Sequence, residues 1–120
     1  MTGQVRDRLN GYAGLTAIIG ASKVFRGVVP QGTVAPYCVV KQVSDLRSYT
    51  FGGASGLDRP RIQISCFSLS YGQAKAMAVQ VVAALEGWSG VQAALKQNEI
   101  DLYEQDTKLH HVPVDFHIWD

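Results

Sequence analysis

Two periods of apolar recurrence run along this chain, and they separate its helices from its strands. Val5, Leu9 and Tyr12 recur at helical spacing after Thr2, a hydroxyl residue able to cap a first helix, and Asn10-Gly11 weakens its end, so that helix is short or kinked. Leu15, Ile18 and Ile19 add a second apolar turn that stops at Gly20 and is expected to lie on a sheet. The strongest helical signal comes later. Ala74, Ala78, Val81, Leu85 and Trp88 fall on one stripe, Gly87 supplies a stop, and Ser70-Tyr71-Gly72-Gln73 has the form of a capping box. The alanines allow close approach to a sheet. Val79 and Val82 widen the apolar surface beyond one face, and either the first helix or another subunit would cover the excess.

The strand-like period of two appears first in a brief run at 24–26. It returns at 37–43, where Tyr37, Val39, Lys41 and Val43 alternate with Cys38, Val40 and Gln42. A second long alternation at 61–69 puts Ile62, Ile64 and Cys66 opposite Gln63, Ser65 and Phe67, and should pair with the first. Between them, 48–60 holds Gly52-Gly53, Gly56 and Pro60 around Tyr49 and Phe51, which reads as a long loop or a floppy extended hairpin tip, either binding something or idly disordered. Residues 28–36, with Pro30 and Pro36, read as an extended arm or loop. The C-terminal third alternates again, with Val112, Val114, Phe116 and Ile118 on one face. Pro113 cannot donate to a ladder, so the last strand is expected to start at a sheet edge or to carry a bulge there. The sum is an α+β fold: one domain over residues 1–120, with an antiparallel sheet of about four to five strands packed against an N-terminal helix and a central helix at about 71–86.

Composition adds limits. Nearly half the 120 residues are apolar (47%) and 18% are charged, enough for a packed core. The net charge of +1 gives no field that would draw the chain onto nucleic acid or an anionic membrane. The charges are nevertheless split. Through Arg61 there are eight basic and three acidic residues; from Ile62 onward, three basic and seven acidic. If the halves lie on different faces, copies could meet head to tail. No export signal is visible at the start, and the apolar stretch 74–85 is too short to cross a bilayer. Cys38 and Cys66 sit within strand runs and read as reduced core thiols. If those strands pair antiparallel, the two would lie nearly opposite, and a bridge would be geometrically allowed.

Candidate chemistry is sparse. The glycine cluster at 52–56 lacks the Lys-Ser/Thr ending of a phosphate loop, and the hydrolase and metalloprotease signatures are missing. His110, His111, Asp115, His117 and Asp120 form the best remaining set, since His111, Asp115 and His117 share a strand face. A solvated polar face explains them without a ligand. No catalytic residue, metal or cofactor is assigned. The basic residues are scattered over several elements, so specific nucleic-acid recognition is not expected; a small nucleic-acid or ligand-binding accessory domain is the alternative reading, and a hydrolase using the C-terminal histidines a third.

The ordered features together resemble the small tail-completion, or head-to-tail joining, proteins of long-tailed phages and prophages. The resemblance rests on Leu15-Thr-Ala-Ile-Ile-Gly20, Pro30-Gln-Gly32, Pro36-Tyr-Cys-Val-Val40, Gly56-Leu-Asp58, Arg61-Ile-Gln-Ile-Ser65, Tyr71-Gly-Gln-Ala74, Ala83-Ala-Leu-Glu-Gly87, Leu102-Tyr-Glu104 and Val114-Asp-Phe-His-Ile118. It implies a non-enzymatic structural subunit, a tail terminator that forms a homo-oligomeric, typically hexameric, ring at the head-tail junction of the virion after assembly in the host cytoplasm. The implied partners are a second copy, the tail tube protein and the head-tail connector protein, with no membrane. Within this frame, Arg47, Tyr49, Phe51, Leu57, Arg59 and Arg61 are the candidate subunit or tube contacts.

Overall fold

The computed structural model describes residues 2–20, 22–50, 53–89, 93–106 and 108–119; over 43–50 and 53–60 the backbone alone is described. Three helices, α1 (Thr2–Asn10), α2 (Ala13–Ile19) and α3 (Tyr71–Glu86), accompany six strands: β1 (Val24–Arg26), β2 (Tyr37–Thr50), β3 (Gly53–Ser68), β4 (Ala93–Glu99), β5 (Leu102–Glu104) and β6 (Leu109–Trp119). The fold is α+β, as the two periods predict. The sheet runs β1-β2-β3-β6-β4, with β5 also on β6. It is antiparallel except that β1 lies parallel to β2, so it has one strand more than the alternation alone suggests and is mixed.

Alternation decides which side chains enter the core. Cys38 and Val40 of β2, Ile62, Ile64 and Cys66 of β3, and Val112, Val114, Phe116 and Ile118 of β6 all point to one buried layer. On the other side of that layer, α3 contributes Ala74, Met77, Ala78, Val81, Ala84 and Leu85, and α1 contributes Val5 and Leu9. The alanines let α3 sit close to β3 and β6. Val82 and Trp88 pack against the core's margin, whereas Val79 stays exposed, so only part of the apolar excess on this helix is used internally. α2 packs mainly on α3 and α1 instead of directly on the sheet. Its approach to α3 is close: a β-carbon at Gly14 would stand 2.2 Å from the Gln80 side-chain oxygen. Gly20 ends α2 at φ 90°, a backbone setting that favours glycine.

Two local expectations are corrected and one pair of alternatives is decided. The capping box does not close: Ser70 occupies the N-cap without a side-chain bond. Instead the Ser68 hydroxyl donates to the Gln73 side-chain oxygen at 2.5 Å and accepts from the Ser70 N–H at 3.1 Å. For 48–60 the structure has the hairpin and not the loop. β2 and β3 continue as a hairpin arm past the rest of the sheet, with Arg47 opposite Asp58, Tyr49 opposite Ala54 and Thr50 opposite Gly53; only 51–52 fall outside the described residues. Pro60 is tolerated because it lies just beyond the last β3–β6 pair, Arg61 with His117, where a missing N–H breaks no bond to β6.

The second correction concerns β6, which is an interior strand with β3 on one side and β4 and β5 on the other. Pairing with β4 stops at Val114 and pairing with β5 starts at His111. Pro113 lies in the break between them. Its carbonyl accepts from the Ile100 N–H at 3.2 Å, so its nitrogen also faces the place where the chain leaves β4 and bends into β5, and no ladder bond is lost.

Candidate functional site

α1, α2 and α3 lie over one face of the sheet; among the described residues no helix covers the other, where Gly27 and Val29 of the connector lie beside Val39 and Lys41. The outer face is built from the alternate residues of the same strands. Across it runs a row of rings, one per strand from β1 to β6: Phe25 to Tyr37 at 6.3 Å between centroids, Tyr37 to Phe67 at 5.0 Å, and Phe67 to His111 at 4.2 Å. Beside the row is a half-open pocket of about 300 Å³ whose wall includes Val29, Val39, Lys41, Gln63, Ser65 and Phe67.

This face also carries polar groups that have left water without finding full compensation. Asp115 is 7% exposed, and one of its oxygens accepts from Arg61 at 2.6 Å. Its other oxygen, Oδ1, is buried without a hydrogen-bond partner, as are Arg61 Nε and His111 Nε2. Such groups in a low-dielectric setting cost stability until something pairs with them. Burial pushes the His111 imidazole below its usual pKa, an effect partly offset by the Glu104 carboxylate, whose Oε1 is 3.9 Å from Nδ1. The Tyr37 phenol is pushed up, mainly by burial and further by Glu104.

Of the contact candidates, Arg61 has the one described side chain, and it stands on the outer face where the arm leaves the sheet. Arg47, Tyr49, Leu57 and Arg59 are placed on the arm by their backbone, and Phe51 lies outside the described residues. The C-terminal polar set is divided. His111 and Asp115 share the outer face, Asp115 is engaged by Arg61, and His110 turns to the helical side between Tyr71 and Tyr103. Asp120 lies outside the described residues. Among the described residues no three His, Cys, Asp or Glu side chains converge as metal ligands, and no helix is long and apolar enough to cross a membrane.

Cys38 and Cys66 pair across β2 and β3, with sulfurs 3.9 Å apart and both thiols free and buried. The Cys66 thiol is pushed well up by its hydrogen bond with Cys38 and by burial. A structural network lies at the far end of the sheet. Lys75 of α3 pairs with Glu99 and Asp101, and the Tyr71 hydroxyl donates to Asp101 at 2.8 Å, which ties the bend between β4 and β5 to the helix.

The ring row is the feature that sequence reasoning missed. Its members come from four strands, and only the register brings them together, although alternation already puts Tyr37, Phe67 and His111 on faces opposite the core.

Comparison with known proteins follows the same lines. A solved chain titled "Virion of native gene transfer agent (GTA) particle" superposes with a TM-score of 0.78 at 20% sequence identity, covering 95% of this chain and 89% of that one, so the two share a fold. No curated protein matches the sequence. The family model described as "Tail completion protein gp17" matches residues 3–119. With nearly its whole length inside that match, the chain belongs to the tail completion protein gp17 family.

Proposed function

We propose that this chain, acting as one domain, forms a homo-oligomeric ring at the head-tail junction, caps the tail tube and joins it to the head connector. The coarser statement, a structural protein of phage virion assembly, follows from the family. The observation that carries the finer reading is the family match over residues 3–119. The outer sheet face, which no helix covers among the described residues, supports it. It carries the row Phe25, Tyr37, Phe67 and His111 beside a half-open pocket, an aromatic surface suited to a protein neighbour. The arm supports it too, since its backbone carries Arg47, Tyr49, Leu57 and Arg59 past the rest of the sheet; these, with Phe51 and Arg61, are the proposed contacts with a neighbouring subunit or the tube. In such a protein mechanism is geometry. A ring seated on the last tube layer blocks further addition and presents a second surface to the connector.

The test is co-assembly. Purified chain added to polymerising tube protein should appear in electron micrographs as rings on one end of the tubes and should narrow the distribution of tube lengths. Tubes with bare ends and unaltered lengths would reject the proposal.

A further inference from the structure

We infer that the two rims of the sheet are the complementary halves of one subunit-subunit joint, each filled by a second copy of this chain in head-to-tail order. The inference rests on the ring reading above and specifies its contact. Sheet order puts β1 and the connector at 27–36 on one rim and β4 with β5 on the other. On the first rim Val28 and Val34 are 83% and 71% exposed, Lys23 and Arg26 flank them, and no carboxylate occurs anywhere from Arg8 to Gln42. On the second rim Ile100, Leu102 and Tyr103 are 44%, 48% and 52% exposed. The stretch containing them, from Glu99 to Asp106, holds four carboxylates and no cation. Lys75 and Lys96 bond Glu99, and Lys75 also bonds Asp101; counting these two and Lys108 of the turn into β6 against the four carboxylates still leaves the rim acidic by one charge.

Each rim therefore combines exposed apolar side chains with charge of one sign, and the signs are opposite. Two copies meeting through the same rim would set like charges together; two copies meeting through different rims would not. The joint is made of side chains and does not extend the sheet. β1 faces β2 with Lys23 and Gly27, since Cys38 N–H donates to the Lys23 carbonyl and Gly27 N–H to the Val40 carbonyl, so the backbone of Val24 faces outward. Asn10 occupies that position. Its amide donates to the Val24 carbonyl at 3.3 Å and its side-chain oxygen accepts from the Val24 N–H at 3.2 Å. With the Val24 groups engaged in this way, the edge is a poor template for another strand.

Two double variants test the joint by native mass spectrometry and analytical ultracentrifugation. V28D/V34D spoils the basic rim only, and L102S/Y103S, which removes the apolar contacts without adding acid, the acidic rim only. Each alone should lose self-association by at least tenfold relative to the unaltered chain. Mixed, they should form a one-to-one complex and nothing larger, because one intact rim of each kind remains; that complex also shows that both variants fold. Assembly of either variant at the unaltered level, or a mixture that stays monomeric while the unaltered chain assembles, overturns the joint and leaves the ring reading standing. An unaltered chain that stays monomeric at high concentration, alone and with tube protein, overturns both.

Discussion

The two faces of this sheet are made by the same strands and have opposite characters. On β6, Val112, Val114, Phe116 and Ile118 enter a dry layer under α3, while the residues between them, among them His111 and Asp115, form the outer face. On the helical side apolar contacts decide the fold. On the outer side, buried but incompletely paired groups of Arg61, His111 and Asp115 are retained at a cost in stability. The contrast is one of chemistry: apolar packing under the helices, and a partly buried ion pair with aromatic rings on the outer face.

Three substitutions should separate the faces, in descending order of effect. Phe116→Ala empties the centre of the helical side and should cost about 3–5 kcal/mol in denaturant unfolding. A loss under about 1 kcal/mol would mean that the core does not rest on β6. On the outer face, Arg61→Ala strands a buried Asp115 and should cost about 1–3 kcal/mol, more than Asp115→Ala, which leaves the half-exposed Arg61 to solvent. Equal costs would contradict the asymmetry in burial. The smallest effect is titration. Because burial depresses the folded-state pKa of His111 below its ordinary 6.5, protonation favours the unfolded chain. The stability held above about pH 6.5 should therefore fall as pH drops toward the folded-state value, and His111→Phe should flatten this component; parallel pH profiles for the two proteins would remove it.

Local pattern carried most of the fold. Period-two runs marked β2, β3 and β6, and the apolar stripe with its Gly87 stop marked α3 to within a residue. What the pattern could not carry was neighbour identity. Pro113 forbids a donor at one point, but whether that point faces an edge or a break between two short strands depends on where β4 and β5 end. Gly52-Gly53, Gly56 and Pro60 signal a turn as readily as a loop, and a hairpin arm pairs only with itself. Asn10 looked like a weak helix end; its partner, Val24, lies 14 residues on. The ring row is hidden for the same reason, because Phe25, Tyr37, Phe67 and His111 become neighbours only through register.

The break at Pro113 also has a kinetic consequence. β5 is held to the sheet by three residue pairs, with all its side chains exposed, and the break separates its ladder from that of β4. Its amides should thus be among the first to exchange with solvent, opening without disturbing the strands inside. Docking on the acidic rim would slow those same amides, so that the passage from free subunit to ring could be timed by deuterium uptake at Leu102, Tyr103 and Glu104.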